Sequence, residues 1–254
     1  MDSAQAEGER GPGFALFLDF DGTLVEIAPT PDSVVVAPEL PLLLAALRDR
    51  LGGALAIVTG RSIAGIDHFL PGLGLDACGM HGLERRVGGQ VAFPEGLADL
   101  RPRIAELRAR LSPHPGLIVE DKRIGVAVHW RMAPEAEAEA RAAIDALAAE
   151  LGPAYKIQEG KAVREIVPAQ AGKGEGIRAL MQMAPYGGRR PVFIGDDRTD
   201  EHGFDAVNRM GGVTVKIGPG ETLARYRLAT PAELREAMSG WLAGRLSWED
   251  LQPA

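Results

Sequence analysis

One cysteine, Cys78, stands in a chain of 254 residues, so no disulfide can form within it. That suits a reducing compartment, and a cytoplasmic protein is expected. Basic residues are also short, with 28 Lys and Arg against 35 Asp and Glu and a formal net charge of -7. That balance supplies no basic face for nonspecific nucleic-acid binding and none for an anionic membrane surface. No window approaches the ~18 consecutive apolar residues of a membrane span. The opening stretch MDSAQAEGERGPG lacks the apolar core of a signal peptide, and residues 1–12 are expected to be a frayed tail. The Walker A pattern GxxxxGK[ST] is missing too, as is any internal repeat. The acidic balance argues against a nucleic-acid or membrane partner; a monomer acting on a small molecule is expected.

What is present is a chain 46% hydrophobic, enough for one large domain or a domain carrying an insertion. Residues 14–18, FALFL, form a continuous apolar run, as expected of a strand covered on both faces. Residues 38–52 are apolar at helical spacing and stop at Gly52-Gly53. ALAIVTGRS (54–62) reads as a second buried strand, and Ser62 as the N-cap of a short helix. LDACGMHGLE (75–84) reads as a strand and a glycine turn. Alternating strands and helices predict a parallel α/β sheet of Rossmann-like form.

From residue 97 the rhythm changes. A helix (97–111), two strand halves around a turn near Arg123 (117–132), a helix opened by Pro134 (134–151) and a hairpin turning at Glu159-Gly160 (155–168) predict an α+β unit with an antiparallel sheet. The first rhythm then returns, with helices beginning near Lys173, Asp200 and Pro231 and strands at 190–197 and 212–218. The expected organisation is a core domain in two parts, 13–96 and 168–254, interrupted by an inserted domain at 97–167.

Four polar clusters stand at the ends of apolar runs: Asp19 with Asp21, Thr59 with Gly60 and Arg61, Lys173, and Asp196 with Asp197 and Asp200. Each alone has a plain structural reading, such as a turn at Asp-Gly or a helix cap. Parallel strands open their C-termini on one edge, so if three of these runs are neighbouring strands the clusters meet in one pocket there. Carboxylates crowded there repel unless a cation offsets them, and an oxygen-only donor set suits Mg²⁺. A carboxylate beside a metal and a lysine is a competent nucleophile toward phosphorus.

DFDGTL, VTGR, Lys173 and GDDRTDE resemble the four motifs of the haloacid dehalogenase-like phosphatases, over about residues 14–240. GMHGLE (79–84), EDKRIGVAVHWR (120–131), EGKAVREIVP (159–168) and GDDRTDEHGF (195–204) are similar to the trehalose-6-phosphate phosphatase family within that group. The resemblance implies Asp19 as nucleophile and Asp21 as general acid and base, with Thr59 and Lys173 holding the phosphate. It implies Mg²⁺ bound by Asp19, the Asp21 carbonyl and Asp196, supported by Asp197 and Asp200. Substrate contacts would come from Gly60, Arg61 and His81 in the core, and from Glu120, Lys122, His129, Arg131, Gly160, Lys161 and Glu165 in the insertion, which would act as a cap. The implied substrate is trehalose 6-phosphate, in trehalose biosynthesis. Sucrose phosphate or a glycosyl-glycerate phosphate is the nearest alternative, and a non-catalytic sugar-phosphate-binding regulatory module the alternative of another class. Gly172 where Asn is common, and His202 where an acid is common, depart from the family pattern.

Overall fold

The computed structural model describes residues 13–28, 33–93, 97, 99–122, 124–160, 162–169, 171–247 and 250–254. The expected tail at 1–12, the turn at Arg123 and the sugar contact Lys161 lie outside these. The chain divides into two compact units, residues 1–93 with 172–254, and residues 94–171.

The first unit is built on a nine-stranded sheet. Its centre is β1 (Phe14–Leu18), flanked by β2 (Leu55–Val58) on one side and β10 (Arg190–Gly195) on the other, all parallel. Beyond β2 come β3 (Asp76–Gly79), β4 (Glu84–Val87) and β5 (Gln90–Ala92). Beyond β10 come β11 (Val213–Ile217), β12 (Tyr226–Leu228) and β13 (Gln252–Pro253). Because the chain leaves β1 for β2 and returns to β10 on the other side, β1 stands at the topological switch point, where a crevice opens beyond the strand ends.

Alternation along β1 decides which helices cover which face. Leu16 and Leu18 pack with α1 (Leu40–Arg50), α2 (Ile63–Phe69) and α7 (Pro231–Leu242), through Leu44, Ile66, Leu234 and Met238. Ala15 and Phe17 point the other way, into the cluster of α5 (Lys173–Leu180) and α6 (Glu201–Arg209), through Ile177, Leu180, Phe204 and Val207. Both faces are apolar because both are covered, which is why the run shows no polar alternation. Ser62 caps α2 as expected, accepting from the Gly65 N–H at 3.1 Å.

The second unit holds a four-stranded antiparallel sheet in the order β6 (Ile118–Asp121), β7 (Val126–His129), β9 (Val163–Pro168), β8 (Tyr155–Gly160). Two helices, α3 (Arg101–Leu111) and α4 (Glu137–Leu151), pack on one face through Ile104, Leu107, Ile144, Val126, Val128 and Ile166. The hairpin differs from expectation: Gly160 belongs to β8 and pairs with Val163, so the turn follows it rather than including it. Ala162 then takes φ 57°, a conformation the sequence pattern does not advertise at an alanine. The β4–β5 hairpin is a further addition, closed by Gly88 and Gly89, both at positive φ.

The tight seat of α6 on β10 yields a prediction. A Cβ at Gly203 would lie 2.3 Å from Cε1 of the buried Phe193. Gly203→Ala gains up to about 1 kcal/mol of helix propensity but must displace a packed ring at about 1–3 kcal/mol or more. A net loss of about 1–2 kcal/mol is expected in denaturant unfolding. A stabilised variant would mean that the helix and the ring adjust freely.

Candidate active site

The apolar run of β1 ends at Leu18, and the next residue, Asp19, is still buried. Its N–H continues the ladder to the Ile194 carbonyl at 2.9 Å, so Asp19 and the end of β10 stay in register. After Phe20 and Asp21 the chain must turn at once. Gly22 does this at φ +78°, and a Cβ there would lie 2.1 Å from an Asp196 carboxylate oxygen. Only glycine combines that backbone conformation with that approach. Thr23 then donates to Asp196 Oδ1 at 3.2 Å, joining the ends of β1 and β10. Thr23 was not among the expected site residues, although it is the threonine of DFDGT.

Lys173, the first residue of α5, is buried with its Nζ 2.8 Å from Asp19 Oδ1 and 2.7 Å from Asp200 Oδ1. Asp200, fully buried, also accepts from the backbone N–H groups of Asp196 and Asp197 at 3.0 Å each. The expected supporting residue Asp200 is therefore the pin of the loop after β10. Asp197 is exposed at the cavity and bonds to its own loop, accepting from the N–H and hydroxyl of Thr199 at 2.8 and 2.7 Å.

Asp19, Asp196 and Asp200 each offer a carboxylate oxygen within 4.8 Å of the others. Burial, partly offset by Lys173, pushes the Asp19 carboxyl up to about 7. Burial and then the charge of Asp19 push Asp200 up to about 8. Burial and then Asp200 raise Asp196. Burial works to depress the Lys173 ammonium, but Asp19 and Asp200 outweigh it and hold it above the ordinary lysine range. Asp197 is lowered: burial opposes this, and Lys173 with the Thr199 hydrogen bonds prevails. One ammonium thus faces three clustered carboxylates. An all-oxygen set that resists full ionisation by itself fits a hard divalent cation.

Asp21 and Arg61 meet side by side, Nε to Oδ2 at 2.6 Å and one terminal nitrogen to Oδ1 at 2.7 Å. The guanidinium also lies over the rings of Phe20 and Phe69, at 5.7 and 4.8 Å from their centroids. Arg61, expected to touch substrate, orients the Asp21 carboxylate and also lines the cavity that holds Asp19, Asp21 and Lys173. The Thr59 hydroxyl accepts from the backbone N–H of Arg61 at 3.2 Å. Asp19, Asp21, Thr59, Gly60, His81 and Lys173 all line one cavity of about 370 Å³, with Ile27 and Val34 at its apolar side.

His81 reaches this cavity from a strained loop. Met80 and His81 take φ 48° and 55°, followed by Gly82 at 90°. Each non-glycine residue in that region costs about 1–2 kcal/mol. Backbone hydrogen bonds hold the loop: Met80 N–H to the Arg61 carbonyl at 2.8 Å, His81 N–H to the Thr59 carbonyl at 3.0 Å, and Gly172 N–H to the His81 carbonyl at 2.7 Å.

In the second unit, Glu120, Lys122, His129 and Glu165 come together on the face of the sheet opposite its helices. Lys122 Nζ lies 2.6 Å from Glu165 Oε1, and His129 Nε2 lies 2.9 Å from Glu120 Oε2. Arg131 and Gly160 are not in this group and line a separate cleft with Trp130 and Arg141.

Residues 17–232 match the family model described as Trehalose-phosphatase. The chain is 44% identical over 207 residues to a Sinorhizobium fredii protein named "Probable trehalose-phosphate phosphatase", covering 81% of this chain and 78% of that one. It is 42% identical over 225 residues to the trehalose-6-phosphate phosphatase of Escherichia coli, covering 87% and 84%. A solved trehalose-6-phosphate phosphatase related protein superposes at TM-score 0.70 with 29% identity, covering 91% and 97%. The Aspergillus fumigatus trehalose-6-phosphate phosphatase, 24% identical at TM-score 0.71 over 92% and 93% of the two chains, shares the fold.

The crowded carboxylates make stability depend on pH. The folded protein holds protons on Asp19 and Asp200 up to about 7 and about 8, whereas the unfolded chain releases them near 4. Between about pH 4 and 8 the folded state binds more protons, so its stability falls as pH rises. The raised Lys173 contributes stability lost only above the lysine range, outside this window. The melting midpoint of chelator-treated protein is expected to drop from pH 5 to pH 8, and a divalent cation to restore more of it at pH 8 than at pH 5. A flat profile would mean that the cluster ionises freely.

Proposed function

The chain belongs to the trehalose-phosphatase family, and we propose that it hydrolyses trehalose 6-phosphate to trehalose and phosphate with Mg²⁺, through a phosphorylated Asp19. It is a phosphatase, which sets aside the non-catalytic module. The observation that carries the mechanism is the buried Asp19–Lys173–Asp200 chain of ion pairs at the switch point, with Asp196 beside it. The relatives at 44% and 42% identity support the substrate.

In this reading Asp19 attacks phosphorus with one carboxylate oxygen, and the bond to the sugar oxygen breaks. Lys173 fixes the other oxygen of Asp19 and steadies charge on the phosphoryl group. The Thr59 hydroxyl and the N–H of Gly60 receive phosphoryl oxygens. Asp21, held in place by both Arg61 contacts, gives a proton to the departing sugar oxygen and takes one from the water that cleaves the acyl phosphate. Asp19, the Asp21 carbonyl and Asp196 would hold Mg²⁺, with Asp200 and Asp197 supporting. When bound, the ion neutralises phosphate charge and orients the phosphoryl group in line. The polar face of the second unit, with Glu120, Lys122 and Glu165, carries sugar recognition.

Three tests follow from these roles. Asp19→Asn keeps the size of the side chain and removes the nucleophile, so turnover should fall to assay background with circular dichroism unchanged. Substantial phosphate release by this variant would end the nucleophile assignment. Chelation should abolish activity and Mg²⁺ restore it, with Ca²⁺ failing because it prefers more and looser ligands. Activity in metal-free buffer would rule the ion out. Glu165→Gln and Lys122→Met each remove one partner of a charged pair. Each should cost roughly one to two decades in kcat/KM on trehalose 6-phosphate while p-nitrophenyl phosphate turnover changes less than about threefold. An equal loss on both substrates would remove the sugar-reading role. Sucrose phosphate and a glycosyl-glycerate phosphate, run beside trehalose 6-phosphate, decide the substrate.

A further inference from the structure

The cavity at the strand ends is charged along much of its wall but not along all of it. Ile27, Ala28 and Val34 make up an apolar part, and Ile27 is 75% exposed. A single exposed isoleucine is ordinary on a protein surface, but this one stands in the wall that also holds Asp19 and Asp21. The chain on either side of it is anchored. Leu24 and Val25 are buried. The Val25 carbonyl accepts from the Gly22 N–H at 2.8 Å, and the Leu24 carbonyl from Arg235 Nη1 at 3.2 Å. Val34 packs against the core on the Leu16 and Leu18 face of β1. The apolar wall is therefore built into the fold. A phosphate ester of a sugar gives it a use. In the reading above, phosphorus meets Asp19 and the ester oxygen meets Asp21. The next atoms are a methylene carbon and a ring, whose hydroxyls lie around its edge and whose C–H groups form its faces. The charged groups here already have partners: Lys173 has Asp19 and Asp200, Arg61 has Asp21, and Asp197 has Thr199. Aliphatic side chains are what the cavity offers to the carbon skeleton.

We propose that Ile27 is a specificity-determining residue that packs, together with Val34, against the methylene carbon and a C–H face of the ring carrying the phosphate. This rests on the sugar-phosphatase reading and deepens it, because the first unit then reads the leaving group next to the scissile bond by apolar contact alone. The contact is non-directional and grows with the area taken from water. It therefore favours an uncharged carbon skeleton over bare phosphate without selecting any one hydroxyl.

The test uses the whole enzyme and measures how p-nitrophenyl phosphate turnover is inhibited by inorganic phosphate, which has no carbon skeleton, and by glucose 6-phosphate. Wild type, Ile27→Asn and Ile27→Val are compared. Ile27 is mostly exposed, so its substitution should leave the melting midpoint little changed. In Ile27→Asn the inhibition constant for inorganic phosphate should stay within about twofold of wild type. The constant for glucose 6-phosphate should rise about five- to tenfold, as expected for one lost aliphatic contact. The kcat/KM on trehalose 6-phosphate should fall by a similar factor, chiefly through KM, because the contacted carbons do not react. Valine keeps most of the aliphatic surface, so Ile27→Val should hold the glucose 6-phosphate constant within about threefold of wild type. An unchanged glucose 6-phosphate constant in Ile27→Asn would overturn the proposal, even if trehalose 6-phosphate turnover fell. An equal rise for both inhibitors would assign Ile27 to the shape of the phosphate pocket and overturn it too, as would a valine variant no better than asparagine. If wild type fails on trehalose 6-phosphate, the substrate reading falls, while the two inhibition constants still decide the role of Ile27.

Discussion

The ammonium of Lys173, buried between Asp19 and Asp200, is the interaction on which the rest of the site depends. Taking a lysine and two carboxylates out of water is costly, and a buried ion pair seldom repays that cost in stability. Here the pair has a different consequence. It holds Asp19 at the end of β1, Asp200 at the start of α6 and the first turn of α5 in one fixed arrangement. It also leaves the cluster short of positive charge, because Asp196 adds a third carboxylate to a single ammonium. A site with unmet negative charge and only oxygen donors is prepared for a cation and for the charge of a phosphate that the cation accompanies.

The sheet supplies the precision this arrangement needs. β1 and β10 run in register from Phe14 and Arg190 to Leu18 and Ile194, so their acidic extensions emerge side by side. The Asp19 N–H extends the ladder by one bond, and Thr23 ties the turn after β1 to Asp196. Two layers of helices bury both faces of β1, which leaves the strand ends as the place where polar side chains meet an opening. Arg61 then adds rigidity from β2's side, clamping Asp21 while lying over Phe20 and Phe69. Catalytic carboxylates placed by backbone ladders and ion pairs hold their positions better than carboxylates on a free loop.

Much of this was legible in the chain because local rules were sufficient. Uninterrupted apolar runs announced β1, β2 and β10. Helical spacing announced α1, Pro134 opened the turn before α4, and Ser62 capped α2. The motif acids were legible because a carboxylate directly after a buried strand is anomalous. Less legible were the short strands at the sheet margins, β4, β5, β12 and β13, where few residues and half-exposed faces leave little periodicity. Glu159-Gly160 reads as a turn dipeptide, whereas the register pairs Gly160 with Val163 and puts the left-handed residue at Ala162. Thr23 is illegible locally, since a threonine after glycine carries no sign of the acid it binds on the neighbouring strand's end.

By itself, the sequence determined the alternation of strands and helices, the change of rhythm near residue 97 and the identity of the acids and the lysine. All of these follow from hydrophobic periodicity and from polar residues at the ends of apolar runs, which are properties of neighbours along the chain. Only the tertiary structure decided which carboxylate each cation meets. Lys173 reaches Asp19 and Asp200, and Arg61 holds Asp21 although 40 residues separate them. It alone decided that Met80 and His81 would be strained, because the hydrogen bonds that enforce their conformation come from Thr59, Arg61 and Gly172. Partnerships between distant residues depend on strand order and register, and no local pattern encodes them.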